Sequence, residues 1–124
     1  MLGKRPIVAF IPCKDSSVAR KFYEGILGLR FVSEDPFALV LDAHGITVRI
    51  AKSQDFTPAP FTILGWEVRE IERLVTELKE KNILFMKYDF LQQDELGIWS
   101  APGGAKVAWF KDPEGNILSL TCKG

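Results

Sequence analysis

The sequence predicts an α+β protein made of two copies of one module, in which a strand and a helix precede three further strands. A tight turn of the form Asp-x-x-Gly occurs twice, at residues 42–45 and 112–115, each time between two apolar segments. Asp, Pro and Gly at the first, second and fourth positions of the later turn favour a hairpin. After each turn the apolar residues alternate in the same way, so that Val48 and Ile50 match Leu118 and Leu120.

The first module begins with the apolar segment IVAFIPC, which has the length and composition of a strand. The following DSSVARKFYEGILG predicts a helix with Asp15 or Ser16 as its N-cap. Val18, Phe22 and Ile26 recur at helical spacing and are expected on one buried face. Gly28 is a suitable helix stop. Strands PFALVL and ITVRIAK complete this module around the first turn.

The second module repeats this order from FTILGWEV, again a predicted strand. The segment REIERLVTELKEKN predicts a clearer amphipathic helix, with apolar residues inward at Ile71, Leu74, Val75 and Leu78. Asn82 takes the place of Gly28 and can adopt the same left-handed stop. Gly103-Gly104 predicts a further hairpin turn before AKVAWFK.

The two modules are expected to cover about residues 5–54 and 60–122, joined by the polar, Pro-rich KSQDFTPAP. Neither has enough core to be stable alone, so we expect a single domain over 1–124 in which they share one sheet system.

Composition excludes several classes of partner. The 124 residues include 16 basic and 16 acidic ones, so the net charge is zero. A general nucleic-acid or membrane-surface binder would need a basic excess. No apolar run approaches the roughly 20 residues of a membrane span, and the N-terminal apolar run is interpreted as a strand rather than a signal peptide. Cys13 and Cys122 match no metal or redox spacing and indicate reduced thiols in a cytoplasmic protein.

Three stretches carry a resemblance to a known family: DSSVARKFYEGILGLRF, WEVREIERLVTELKEKNILF and, most specifically, GGAKVAWFKDPEGNILSL. With the paired modules, they resemble the vicinal oxygen chelate superfamily, which includes glyoxalase I, bleomycin-resistance proteins, fosfomycin-resistance enzymes and extradiol dioxygenases. The resemblance covers nearly the whole chain and implies a cup-shaped mixed sheet. Because this fold hosts unrelated activities, function has to be argued from the site.

The resemblance also implies where a divalent metal would bind in metal-dependent members, with His, Glu or Gln from the first and last strand of each module. Carried over to this sequence, the four positions are Val8, Arg49, Ile63 and Ser119, with Ala9 and Thr62 as off-by-one alternatives. None is a usual ligand for a transition metal. His44, at a turn tip, and Glu67 and Glu70, beside a helix start, are expected to have surface roles. We therefore expect no metal site and no cofactor.

Arg49 and Ser119 are the strongest candidates for binding a ligand. Arg49 alternates with the apolar Val48 and Ile50, and Ser119 alternates likewise in its strand, which places both toward the implied cup. A guanidinium there would repel a divalent cation and attract a carboxylate or phosphate, and the Ser119 hydroxyl would add a hydrogen bond. The alternative is that Arg49 pairs with a nearby carboxylate and is structural.

Aromatic residues of the second module supply a second hint. Trp66, Trp99 and Tyr88, with Phe90, are candidates to line an apolar pocket for a flat ligand, and Phe56 and Phe61 beside the joint are further candidates. For each residue singly, packing in the core is the competing interpretation.

Three hypotheses remain open. The first is a metal-free protein that binds a small molecule, similar to the bleomycin-resistance type, which implies a homodimer. The second is an enzyme of the same superfamily, either a metal-free lyase or isomerase, or a metal-dependent enzyme such as a dioxygenase whose ligands are misaligned here. The third is a non-catalytic regulatory or interaction module. The residues at the four ligand positions favour the first hypothesis.

Overall fold

Two four-stranded mixed sheets form the fold, one in each of the units Met1–Thr57 and Pro58–Gly124. The computed structural model describes all residues, Met1–Gly124. Each unit has the order strand, helix and three strands, and in each the first strand is parallel to the last while the other pairs are antiparallel. The predicted α+β fold of two βαβββ modules is therefore confirmed, whereas their description as a single domain stays a prediction.

The first sheet has the strand order β1-β4-β3-β2. Its elements are β1 (Val8–Cys13), β2 (Arg30–Glu34), β3 (Ala38–Ala43) and β4 (Ile46–Lys52), with helix α1 (Ser16–Arg20) after β1. A short 3-10 turn at Leu2–Lys4 precedes β1. One face of the sheet is buried and consists of Ile11, Cys13, Leu39, Leu41, Val48 and Ile50.

Helix α1 begins as predicted and then departs from regular α geometry. The Asp15 carboxylate accepts hydrogen bonds from the backbone N–H groups of Ser17 and Val18, which confirms it as the N-cap. From Lys21–Ile26 the helix widens into a π-helical segment. The buried face runs through Ala19, Phe22 and Tyr23, one residue on from the predicted Val18, which is exposed. Gly28 then ends the helical segment with φ +84°.

The second sheet has the strand order β5-β8-β7-β6. Its elements are β5 (Thr62–Glu67), α2 (Ile71–Glu80), β6 (Trp99–Ser100), β7 (Lys106–Lys111) and β8 (Ile117–Cys122). Ile71 and Val75 of α2 are fully buried, as predicted, and Asn82 adopts φ 67° beyond the helix. The core of this unit also contains Ala108, Phe110, Leu118 and Leu120.

The turn at residues 112–115 is built as the sequence predicts. The Asp112 carboxylate accepts hydrogen bonds from the backbone N–H groups of Glu114 and Asn116, and the Gly115 N–H donates to the Asp112 carbonyl. Gly115 has φ +95°, which a side chain would disfavour. This turn sets the β7–β8 register and thus decides which side chains share a face. None of the helices in the chain is both long and apolar enough to span a bilayer.

Candidate functional site

Arg49 lies on the face of the first sheet opposite to its core. Its β4 neighbours Val48 and Ile50 are buried, at 1% and 0% exposure. In the register of the sheet Arg49 lies between Phe10 of β1 and Val40 of β3. Arg49 therefore has apolar neighbours on both sides, and the residue is half-buried.

The Arg49 guanidinium has no ion-pair partner among the salt bridges of the chain. The Asp35 carboxylate interacts electrostatically with the Arg49 charge. The pKa of Asp35 is lowered mainly by hydrogen bonds from the backbone N–H groups of Phe37 and Ala38, and further by the positive charges of Arg49 and Lys52. The Asp35 carboxylate is thus held by its own turn, which leaves the Arg49 fork available to another anion.

The residues at the four implied metal positions do not fit a divalent metal. Val8, 45% exposed, pairs with Thr47 near the start of the first sheet. Ile63 falls at a register shift between Thr62 and Leu64 in β5. Two aliphatic side chains, a guanidinium and a hydroxyl offer no set of donors for Zn²⁺, Ni²⁺ or Fe²⁺. Nowhere in the chain do three or more His, Cys, Asp or Glu side chains come close enough to hold a metal ion.

The other polar candidates take the surface positions expected of them. His44 lies exposed in its turn with φ 53°. Glu67 pairs with Lys123 at 3.3 Å, and Glu70, at the N-cap of α2, pairs with Arg73 at 2.5 Å.

Ser119 lies in the middle of the second sheet, between Gly65 of β5 and Trp109 of β7. The residue is 8% exposed, and its hydroxyl forms no hydrogen bond within the chain. Because no buried side-chain oxygen or nitrogen of the structure lacks a partner, this hydroxyl must still reach solvent. Ser119 is thus a largely buried residue whose hydroxyl can still form a hydrogen bond with a molecule from solution.

An aromatic wall, formed by Tyr88, Phe90, Trp99 and Trp109, stands on the Ser119 face of the second sheet. The ring centroids of Trp99 and Trp109 are 6.1 Å apart at an interplanar angle of 31°. Tyr88 meets Trp109 edge-on at 5.2 Å, and Phe90 follows at 5.4 Å from Tyr88. The structure therefore brings the candidates Tyr88 and Trp99 together on the face that carries Ser119.

Trp66 lies apart from this group. It pairs with Leu120, whose side chain belongs to the buried face of the second sheet, whereas its neighbour Gly65 pairs with Ser119. Successive side chains of a strand point to opposite faces, so Trp66 is directed away from the aromatic wall. Its assignment to the ligand-binding set has no support from this geometry. Of the residues beside the joint, Phe61 is exposed and Phe56 contacts Lys14.

Gln93 holds the segment that carries Tyr88, a role that no sequence pattern indicated. Its Oε1 accepts a hydrogen bond from the Tyr88 N–H at 2.7 Å, and its Nε2 donates to the carbonyls of Met86 and Gly97, both at 2.8 Å. Trp109 belongs to the aromatic wall too, although it was not among the predicted pocket residues. Its position on the Ser119 face follows from the turn at residues 112–115, because the hairpin register set by that turn pairs Trp109 with Ser119.

An open groove of 440 Å³ lies beside α1 in the first unit. Three of its charged side chains are in ion pairs: Arg20 and Glu24 pair with each other at 2.6 Å, and Glu34 pairs with Lys52 at 2.9 Å. The Glu34 carboxylate also accepts a hydrogen bond from Ser16, and its pKa is lowered by the Lys52 and Ser16 contacts. Lys21 is the remaining charged side chain of the lining, and it is exposed.

Comparison with known proteins identifies the fold. No protein-family model matches the chain, and no curated protein matches it. Similar solved structures include a member of the glyoxalase/bleomycin resistance protein/dioxygenase superfamily from Sphaerobacter thermophilus, with 22% identity, 99% of this chain and 100% of that chain covered, and a TM-score of 0.77. A glyoxalase/bleomycin resistance protein/dioxygenase from Alicyclobacillus acidocaldarius has 20% identity, 97% and 92% coverage, and a TM-score of 0.71. Lactoylglutathione lyase from Agrobacterium tumefaciens has 13% identity, 96% and 93% coverage, and a TM-score of 0.72.

The chain therefore has the fold of the glyoxalase/bleomycin resistance/dioxygenase superfamily, as the resemblance of its sequence implied. Identities this low establish the fold alone, and the fold serves several activities.

Proposed function

We propose that the protein is a metal-free binding protein for a small molecule with an anionic or aromatic part. The observation that carries this proposal is Arg49, an unpaired guanidinium at a position where metal-dependent proteins of this fold are expected to hold a ligand to the metal. A permanent positive charge at that position disfavours a divalent cation by direct repulsion.

The same charge favours an anion. A guanidinium presents a planar fork of donors that matches a carboxylate or phosphate in two parallel hydrogen bonds. Phe10 and Val40 on either side of Arg49 reduce its contact with water, which strengthens its interaction with an incoming anion. Within the second unit, considered by itself, the Ser119 hydroxyl and the rings of Tyr88 and Trp99 offer polar and apolar contacts to a ligand.

The proposal extends to a homodimer and to a cytoplasmic location. Strand β1 is an edge strand whose side chains Val8 and Phe10 are 45% and 64% exposed, a combination that favours association with a second copy. Both Cys13 and Cys122 are thiols rather than a disulfide, which is the usual state in a reducing compartment.

Metal binding is the first test. The purified protein is incubated in turn with nickel, zinc, iron(II) and manganese, dialysed, and measured by elemental analysis and thermal unfolding. We expect substoichiometric metal and an unchanged Tm. One equivalent of bound metal with a raised Tm would contradict the proposal and support the alternative, a metal-dependent lyase, isomerase or dioxygenase of this superfamily.

Anion binding by Arg49 is tested next with benzoate and phenyl phosphate as probes in a calorimetric titration. We expect Arg49→Ala to weaken binding by about 10- to 100-fold, since hydrogen bonds to charged groups contribute about 1.5–3 kcal/mol. Arg49→Lys should recover part of the affinity, because it keeps the charge and loses the fork. Arg69→Ala, at an exposed arginine of the other unit, is the matched control. Equal affinities for the wild type and Arg49→Ala would remove Arg49 from the site.

A further inference from the structure

We propose that the Ser119 face of the second sheet binds a planar aromatic group with an uncharged hydrogen-bonding substituent, with its ring against Trp109 and Trp99 and its substituent on the Ser119 hydroxyl. The inference rests on the proposed function and assigns a ligand class to the Ser119 face of the unit Pro58–Gly124. It adds three residues to the binding candidates named from the sequence: Gly65, Gln93 and Trp109.

The Ser119 hydroxyl is the polar anchor of this site. Ser119 is 8% exposed, its hydroxyl forms no hydrogen bond within the chain, and the hydroxyl still reaches solvent. A ligand that donates to or accepts from this hydroxyl would exchange its bond with solvent for one in a less polar surrounding, where a hydrogen bond is stronger.

The absence of a side chain at Gly65 makes space for the Ser119 hydroxyl. A Cβ placed on Gly65 would lie 2.4 Å from the Ser119 Oγ, so the hydroxyl occupies the space that any other residue at position 65 would fill. The hydroxyl therefore lies over the backbone of Gly65, with the Trp109 ring on its other side. Because Gly65 contributes no side chain at this point, a flat molecule has room beside the rings.

The aromatic wall is formed before any ligand arrives. Gln93 makes three hydrogen bonds to the segment between Met86 and Gly97, and the Asp94 carboxylate accepts two more, from the backbone N–H groups of Leu96 and Ile98. These contacts fix Tyr88 edge-on against Trp109. A preformed wall lowers the ordering cost of binding, and offset or edge-on contacts between rings add to the stabilisation that comes from the buried area.

The test uses 2-naphthol as the probe and the three tryptophan indole N–H signals of the ¹⁵N-labelled full chain as the readout. An uncharged probe keeps this experiment independent of the anion site at Arg49. We expect the Trp99 and Trp109 signals to shift with one saturable Kd, and the Trp66 signal, on the opposite face, to stay in place. Decahydro-2-naphthol, which has the same hydroxyl on a non-planar frame, should bind at least tenfold more weakly.

Ser119→Ala is the deciding variant. Since the hydroxyl makes no hydrogen bond within the chain, its removal should leave the Tm unchanged or raised while weakening 2-naphthol about 2- to 10-fold, the equivalent of one hydrogen bond. Ser100→Ala is the matched control, because Ser100 lies exposed one residue after Trp99 on the opposite face.

Each of three results would overturn the inference: no saturable shift at Trp99 and Trp109, equal affinity for decahydro-2-naphthol, or unchanged affinity in Ser119→Ala. Each could occur while the protein remains free of metal and Arg49 still binds benzoate. Failure of this inference is thus distinguishable from failure of the proposed function.

Discussion

Among single residues, the close approach of Gly65 and Ser119 gives the sharpest stability prediction. Gly65→Ala would place its Cβ 2.4 Å from the Ser119 Oγ and 3.4 Å from the Ser119 carbonyl oxygen. The hydroxyl must rotate or the strands must separate slightly, and overpacking of this kind costs about 1–3 kcal/mol. Urea unfolding of Gly65→Ala should show that loss in the free energy of unfolding.

A double-mutant cycle isolates the cause of this loss. In a Ser119→Ala background the offending oxygen is gone, and Gly65→Ala should become neutral or stabilising by a few tenths of a kcal/mol, since Ala restricts the unfolded chain. A Gly65→Ala cost that is the same with and without the hydroxyl would show that the clash is with backbone instead.

The orientation of single residues was partly predictable from alternation. Arg49 between two apolar residues, and Ser119 in NILSLTC, could be placed on the open faces of their sheets from period two alone. The face that carries Trp66 could not be predicted in this way, because its phase relative to Ser119 depends on the parallel β5–β8 register. That register contains a shift near Ile63, and nothing local in the sequence specifies it.

Among the structural elements, the two repeated turns have similar sequences and different strengths. The Asp112 carboxylate is buried and accepts hydrogen bonds from the Glu114 N–H, the Asn116 N–H and the Asn116 side-chain amide, each at 2.9 Å. In the first turn, the Asp42 carboxylate accepts only a longer bond of 3.3 Å from the Gly45 N–H and lies 3.9 Å from the exposed Arg30.

The repeat therefore supplies its own matched control. Asp112→Ala leaves buried donors of Asn116 without an acceptor and should lower the free energy of unfolding by about 3 kcal/mol. Asp42→Ala should lower the free energy of unfolding by less than about 1 kcal/mol. Chemical unfolding of the two variants side by side measures the difference. Equal losses would mean that the buried network around Asp112 adds nothing to the turn itself.

Elements were predictable where a local signal exists. Asp15 as an N-cap, Asn82 as a left-handed stop and the turn at residues 112–115 each follow from side-chain chemistry within a few residues. The π-helical segment at Lys21–Ile26 was not predictable, because its sequence also fits a regular helix. The hydrogen bonds of Gln93 were not predictable either, because they lie within an irregular loop whose sequence has no periodic pattern.

For the whole molecule, alternation along the strands separates core positions from candidate binding positions. Arg49 and Ser119 lie on the sheet faces opposite to Val48, Ile50, Leu118 and Leu120, so their side chains can differ without a change in the packing of those core residues. Arg49 and Ser119 illustrate this: neither contributes to the apolar core, and each has side-chain bonding capacity that the chain itself does not use.

Association of two copies is the last prediction, and it concerns strand β1. This strand forms hydrogen bonds along one edge only, to β4, and its apolar side chains Val8 and Phe10 are largely exposed, with Ile7 just before it at 69%. An unpaired edge with apolar side chains is a template for another chain unless it is covered. We expect sedimentation velocity to show a dimer of the wild type at micromolar concentration.

Phe10→Lys should shift the distribution to monomer, because the charge would have to be desolvated at the contact. Phe37→Lys, at a 74% exposed phenylalanine outside the strands, is the control and should leave the dimer intact. A wild type that sediments as a monomer, or dissociation by Phe37→Lys rather than Phe10→Lys, would place the contact elsewhere or remove it.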